Sequence, residues 1–345
     1  MSLVLDDLKM IHERDPQDAL GVAGKQWQYL TSVFDAQFTP KGDIANVVVA
    51  GMGGSGWPGL ILKSWPRLKV PFEVVSTYTL PDYVNEHTLV ISSSHSGNTE
   101  ETLAALEDAE RRGAQIAVVA SGGKLLDAAQ AKGLPLFKVE HNIQPRMATF
   151  YFLNAYVSIL SAAGLTIDDP SELAAASAWV QGELEQLAPT VPTAQNLAKQ
   201  IALELVGKTA IIYSGPLLYP AAHKWKICMN ENAKNTAWDD FYPEFNHNEF
   251  IGWSGQPVQK PFAVVELRSN LEHPRVQKRF TVSERLLSGK RPAPIVVEPK
   301  GETLLQQLLW GIAMGDFVSV YLALLNNINP TPVDLVEKFK VALDE

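Results

Sequence analysis

The sequence predicts an α/β protein built from two doubly wound parallel-sheet domains. Three observations carry that expectation. Short, continuous, β-branched runs recur along the chain, each ending near glycine, serine or proline and followed by a helical stretch; unbroken apolar strands alternating with helices indicate parallel sheets covered on both faces. The alternation pauses between residues 166 and 205, which are rich in Ala, Leu, Glu and Gln, and then resumes. Finally, 345 residues exceed one ordinary core. The expected division is residues 1–165 for the first domain with its N-terminal helices, and 166–345 for connecting helices and the second domain.

The elements follow in order. Leu5, Leu8 and Ile11 stand among acids within residues 1–17, so one amphipathic helix is expected there. Residues 44–50 form a first strand that runs into Gly51-Met-Gly-Gly-Ser-Gly56. Residues 72–75 form a second. A third, 88–93, leads into Ser94-His-Ser-Gly-Asn-Thr-Glu-Glu-Thr102, where a helix opens. Residues 114–119 and 136–139 supply the fourth and fifth, and an apolar helix over 147–165 closes the half. Pro170, Pro189 and Pro192 punctuate two or three connecting helices. In the second half residues 209–213, 262–266 and 294–297 read as strands, and a helix after Ser214-Gly215-Pro216 carries Glu231. The apolar run 304–325 contains Gln306, Gln307 and Asp316, so it reads as a buried helix and not a membrane span. Residues 332–340 form a last amphipathic helix.

Composition limits the function. A net charge of −9 argues against a broad nucleic-acid surface, although a local site for a small anion is compatible with it. The single cysteine, Cys228, excludes an internal disulfide framework and fits a reducing compartment. The N-terminus lacks the basic start and apolar run of a signal peptide, so a cytoplasmic protein without a membrane partner is expected.

Chemistry is concentrated in five stretches. Gly51, Gly53 and Gly56 fit the glycine pattern of a dinucleotide loop, but the next strand ends in Val75-Ser76-Thr77, without the acid that would hold a ribose. The hydroxyls of Ser94, Ser96 and Thr99 before a helix suit a phosphate monoester, or else they form a serine-rich turn with a helix cap. No serine-nucleophile elbow is present. Arg146, after Gln144-Pro145, is placed either to stabilise an oxyanion or to form a surface ion pair. Glu231 lies among Asn230, Asn232 and Asn235, and His247 follows sixteen residues later between Asn246 and Asn248. A carboxylate and an imidazole are the usual proton-transfer pair; the other reading is a polar helix end and a capped loop. Asparagines are poor helix-interior residues, which suggests side chains recruited to orient something. His223 reads as structural. Metal-ligand spacing is missing, so neither a metal nor a redox cofactor is expected.

In this order, Gly51–Gly56, Ser94–Thr102, Gln144–Arg146, Asn230-Glu-Asn-Ala-Lys234 and Pro243-Glu-Phe-Asn-His-Asn-Glu249 resemble the bifunctional phosphoglucose/phosphomannose isomerases. Those enzymes consist of two flavodoxin-like sugar-isomerase (SIS) domains. The resemblance spans residue 45 to the C-terminus, and the Glu231–His247 pair is its most specific part. It implies that Gly54, Ser55, Ser94, Ser96 and Thr99 hold a substrate phosphate. It also implies that Glu231 shuttles a proton between C1 and C2, with Arg146 beside the enediolate. His247 and Lys340, favoured over Lys338 by position, are the implied ring-opening pair. A homodimer with His247 reaching the opposite subunit's site is implied too. The implied reaction interconverts glucose 6-phosphate with fructose 6-phosphate; mannose 6-phosphate is undecided, with Thr331 the candidate discriminating threonine. The alternatives are a non-catalytic sugar-phosphate sensor and an isomerase of an amino-sugar phosphate. His95 departs from the pattern, since an aromatic residue is common there, and residues 1–40 have no counterpart.

Overall fold

The computed structural model describes residues 2–255 and 261–343. The chain opens with α1 (Ser2–Asp6), α2 (Leu8–Arg14) and α3 (Ala19–Lys25). The single expected N-terminal helix is therefore two. Asp7 breaks it, because its carboxylate accepts from the backbone N–H groups of Lys9 at 3.0 Å and Met10 at 3.2 Å, the geometry of an N-cap that starts a new helix.

Residues Lys25–Gln181 form one compact unit. Its sheet contains β1 (Asn46–Gly51), β2 (Phe72–Val75), β3 (Thr88–Ser94), β4 (Gln115–Ala120) and β5 (Leu136–Lys138). The order is β2-β1-β3-β4-β5, and every pair is parallel. Val47, Val48, Val49, Leu89, Val90, Ile91, Val118 and Val119 are all fully buried, so both faces of the central strands are covered. The short α4 (Gly53–Gly56) follows β1, α5 (Glu100–Arg111) follows β3, and α6 (Gly123–Lys132) follows β4. The apolar α7 (Thr149–Ala162) closes the unit. The strand order reverses between β1 and β3, which makes the loops after those two strands the walls of the crevice where open α/β sheets take ligands.

The second unit joins Gly182–Glu345 to Met1–Gly24, a division that differs from the expected break at 165/166. The reasons are specific bonds. Residues 166–181 stay with the first unit through the Arg67–Asp168 ion pair at 3.1 Å and the Ser177 hydroxyl on the Trp27 carbonyl at 2.8 Å. The N-terminal helices join the second unit because Asp6 accepts from Thr193 N at 2.8 Å and pairs with Lys199 at 3.2 Å, while Arg14 donates to the Leu324 carbonyl. After α8 (Glu172–Glu185) and α9 (Leu197–Leu205) come β6 (Thr209–Ser214), α10 (Tyr219–Glu231), β7 (Ala237–Phe241), the one-turn α11 (Glu249–Gly252), β8 (Phe262–Leu267), α12 (Pro274–Leu286), β9 (Ile295–Val297), α13 (Leu304–Leu325) and α14 (Asp334–Leu343). The all-parallel order β7-β6-β8-β9 repeats the order of β2-β1-β3-β4, so the expected duplication is present at the level of topology. Sequence reading missed β7. Its residues Ala-Trp-Asp-Asp-Phe lack the β-branched signal, and as an edge strand it keeps Trp238 half exposed.

Helix α13 is long and apolar enough to cross a membrane by length and composition, yet 94% of its most apolar window is buried inside the protein. It packs along α10, and polar contacts fix their register. Trp225 Nε1 donates to the Gly311 carbonyl at 2.7 Å. Gly315 leaves room for the same indole, since a Cβ there would fall 2.5 Å from Trp225. The Lys224 ammonium meets Asp316 at 2.9 Å with both side chains fully buried, and the Cys228 thiol donates to the same carboxylate at 3.0 Å. Burial alone would push the Lys224 ammonium down, but the Asp316 carboxylate outweighs it and holds its pKa above the ordinary lysine value. Burial, with the Asp316 charge added, pushes the Cys228 thiol up, so it stays protonated.

Candidate active site

The first unit assembles a cradle from three loops at the C-terminal ends of β1, β3 and β4. The β1 loop turns immediately: Gly53 has φ +45°, and a Cβ on Gly56 would lie 2.1 Å from the Gly51 carbonyl, so only glycine permits the turn. Ser55 is buried, and its hydroxyl accepts the His95 backbone N–H at 2.8 Å, which ties the β1 loop to the β3 loop. Within the β3 loop the Ser94 and Thr99 hydroxyls are 2.9 Å apart, and Gly97 N donates to Ser94 Oγ at 3.1 Å. Thr99 is the N-cap residue of α5, but its side chain accepts from none of the helix's N–H groups, and Ser96 is exposed beside it. A helix N-terminus left uncapped by its own chain, ringed by hydroxyls, is a site for an anion.

Arg146 is brought to this cradle by a missing side chain. A Cβ on Gly54 would fall 2.6–2.8 Å from the backbone of Pro145 and Arg146, so glycine lets the two segments touch. Arg146 is only 2% exposed, which rules out the surface ion pair, and its guanidinium donates to Gln144 Oε1 at 3.3 Å. Gly54, Ser55, Ser94, Ser96, Thr99 and Arg146 therefore lie on touching loops of one sheet edge.

In the second unit the corresponding crevice is closed. The loop after β6 carries Gly215 and Leu217, and the loop after β8 sends Glu272 into it. The buried Glu272 carboxylate accepts the Leu217 N–H at 2.8 Å and occupies the space where a Gly215 Cβ would stand. Burial pushes the Glu272 carboxyl up, while the N–H groups of Leu217 and Leu218 pull it back. An internal carboxylate thus fills the second unit's crevice, where the first unit presents hydroxyls.

Glu231 is instead at the other edge of this sheet, as the last residue of α10. The three asparagines around it are recruited, though to neighbouring elements that hold this end of the helix in place. Asn230 Oδ1 accepts Ala237 N at 3.1 Å, Asn232 Nδ2 donates to Ser319 Oγ at 2.9 Å, and Asn235 Nδ2 donates to the Lys208 carbonyl at 2.9 Å. They anchor the end of α10 to β7, to α13 and to the start of β6. His223, nearer the start of α10, is held by Asp239 at 3.1 Å, the structural role expected of it.

His247 is on the opposite edge. Helix α10 runs antiparallel to β7, with Tyr219 at its start packed on Phe241 at 4.9 Å between ring centroids. The His247 turn, Glu244–His247, follows that end of β7. Asn246 donates to Ser283 at 2.9 Å and accepts from Arg279 at 3.1 Å, both on α12, so the turn is pinned down while the His247 side chain itself is exposed. Lys340 and Lys338 are both exposed on α14, and Lys340 pairs with Glu337 at 2.8 Å.

A family model described as the bacterial phospho-glucose isomerase C-terminal SIS domain matches residues 194–343. A bifunctional phosphoglucose/phosphomannose isomerase of Aquifex aeolicus is 33% identical over 86% of this chain and 90% of its own. Another, from Caldicellulosiruptor bescii, is 36% identical over 88% of this chain and 91% of its own. The chain belongs to the bifunctional phosphoglucose/phosphomannose isomerase family. Its fold is that of a solved glucose-6-phosphate isomerase like protein from Thermus thermophilus, with a TM-score of 0.67 at 18% identity over 96% of this chain and 99% of the other.

Some members of this isomerase's cradle were not read from the sequence. Ser121-Gly122-Gly123 after β4 forms a third loop: a Cβ on Gly97 would lie 1.7 Å from the Gly122 carbonyl, and Asn98 Oδ1 accepts Lys124 N at 3.1 Å. Its strand–serine–glycine grammar repeats that of Ser94–Gly97 and was the available signal. Tyr156 of α7 donates to the Ser55 carbonyl and is 2.6 Å from Ser93 Oγ. Nothing marks it in an apolar helix. His95, the departure from the family pattern, is buried and stacks near His141 and Phe152. Burial pushes its imidazole below the ordinary value, and the neutral ring donates Nε2–H to the Glu140 carbonyl at 2.9 Å. It serves as a packed aromatic ring after all.

Proposed function

We propose that the chain interconverts glucose 6-phosphate and mannose 6-phosphate with fructose 6-phosphate through an enediolate. The β1 and β3 loops with the α5 N-terminus take the phosphate, and Glu231 takes the proton. The observation that carries this reading is the contrast between the two units: the crevice of one is ringed with hydroxyls, and that of the other is filled by the Glu272 carboxylate. One phosphate-bearing end per chain follows, and the carboxylate proposed for the chemistry sits on a separately anchored helix end.

The reaction needs few parts. The sugar rings must open, so His247 and Lys340 serve as the acid/base pair for that step. Glu231 then removes the proton α to the carbonyl and returns it to the neighbouring carbon. Arg146 stabilises the enediolate oxygen, a charge best met by a buried, preorganised cation. Binding the distant phosphate orients the reacting carbons.

A homodimer completes the site. Twelve residue steps along α10 separate Tyr219 from Glu231, which at 1.5 Å per residue puts the His247 edge and Glu231 roughly 18 Å apart in one chain. His247 of the second subunit is the one proposed to act with Glu231. We place the enzyme in the cytoplasm, supported by its single, buried, protonated cysteine.

The test is conversion of fructose 6-phosphate to glucose 6-phosphate, coupled to a dehydrogenase and repeated with mannose 6-phosphate as substrate. Turnover that survives a chelator is expected. No turnover with either aldose, or activity lost to EDTA and restored by zinc, overturns the proposal.

A further inference from the structure

We infer that Lys234 is a positioning residue of the isomerase, whose ammonium clamps the Glu231 end of α10 to the segment that leads into α14. The inference rests on Glu231 being the base. Lys234 Nζ lies 2.9 Å from the carbonyl oxygen of Glu231 and 3.4 Å from that of Asn232. From the other side it meets the carbonyls of Asn329 at 3.1 Å and Pro330 at 3.0 Å. The first two belong to the end of α10, where helix carbonyls lose their intrahelical partners. The other two precede Thr331 and the helix that carries Lys338 and Lys340. One cation therefore gathers two segments whose residues, 231 and 329, are almost a hundred positions apart in the chain.

Lys234 also holds an unusual backbone conformation. Its φ is +51°, in the left-handed region that a Cβ disfavours. Glycine or asparagine ordinarily takes such a position beyond a helix end. A lysine held there needs a compensating reason, and four carbonyl oxygens around its ammonium supply one. A positive charge at a helix C-terminus is also favourable in itself. The amides of Asn230, Asn232 and Asn235 anchor the same helix end to β7, α13 and the start of β6, and Lys234 adds the anchor toward the C-terminal segment.

Because the clamp bonds to backbone, its loss displaces Glu231 without removing any group that touches the substrate. Misplacement of a reacting group by about 1 Å costs on the order of a hundredfold in rate. Lys234→Met is expected to lower kcat by roughly 10- to 100-fold while changing the KM for fructose 6-phosphate by less than about threefold. Lys234→Arg, which keeps a cationic donor, is expected to recover part of that loss. Lys234→Gly relieves the backbone but has no ammonium, and it is expected to be as slow as the methionine variant.

Wild-type kcat in Lys234→Met, or full recovery in Lys234→Gly, would overturn the inference; the latter would reduce Lys234 to a backbone role. Should the methionine variant fail to fold by circular dichroism, the glycine and arginine variants decide alone: equal rates overturn the clamp, and arginine faster than glycine supports it. Glu231→Gln is measured alongside. If it retains turnover, the base assignment fails whatever Lys234 does. If it is inactive while Lys234→Met is fully active, the base stands and the clamp falls.

Discussion

If His247 serves the site of the opposite subunit, two inactive enzymes should restore each other. Glu231 ends α10, and His247 follows the far end of β7, which lies beside the start of the same helix. The roughly 18 Å between those ends exceeds any side-chain reach, and the His247 turn cannot swing across because Asn246 is bonded twice to α12. Glu231→Ala and His247→Ala are each expected to be nearly inactive. Under subunit exchange, half of the dimers become hybrids. One site of each hybrid carries both defects and the other carries none. Mixing should therefore return about a quarter of wild-type turnover for random pairing in a two-fold dimer. The assay is coupled turnover after mixing, with native mass spectrometry to count hybrids. Hybrids at their statistical abundance without recovered activity would refute the reasoning, and His247 would then act within its own chain.

Other consequences concern binding and stability. Ser96→Ala and Thr99→Ala each remove a hydroxyl from the anion cradle, and loss of a hydrogen bond to a charged group, about 1.5–3 kcal/mol, should raise KM roughly 10- to 100-fold with kcat largely kept; titration calorimetry with fructose 6-phosphate checks this. Asp316→Ala leaves the buried Lys224 ammonium without its carboxylate and should destabilise the second unit by about 3–5 kcal/mol in urea unfolding, whereas Lys224→Met combined with Asp316→Leu should recover most of that loss.

The fold was legible where strands are buried on both faces, because such strands leave unbroken apolar runs: β1, β3, β4, β6 and β8 all fall where the sequence places them. What escaped was set by tertiary bonds. β7 is an edge strand with Asp239 and Asp240 in its middle, and it exists because β6 offers a partner and Asn230 fixes its start. The attachment of residues 1–24 to the second unit depends on Asp6 meeting Thr193 and Lys199, a pairing across nearly two hundred residues that no local pattern announces. At the site, hydroxyls before a helix and glycines after a strand pointed to the cradle, because each is a local backbone requirement. The asparagines near Glu231 were conspicuous for a sound reason, their poor helix propensity, but their partners Ser319 and Lys208 became visible only in the fold. Glu272 as the plug of the second crevice was equally hidden, since a glutamate in a loop reads as solvated.

Glu231 is proposed to carry the proton between C1 and C2, and running the isomerisation to equilibrium in D2O, with the sugar phosphates read by NMR, tests that role. A proton held on an exchangeable carboxyl must in time be replaced from solvent, so deuterium should accumulate at C2 of the aldose and C1 of the ketose. Glu231→Gln should bind the substrate and incorporate none. Complete retention of hydrogen in the wild-type enzyme at equilibrium, or undiminished incorporation by Glu231→Gln, would contradict it.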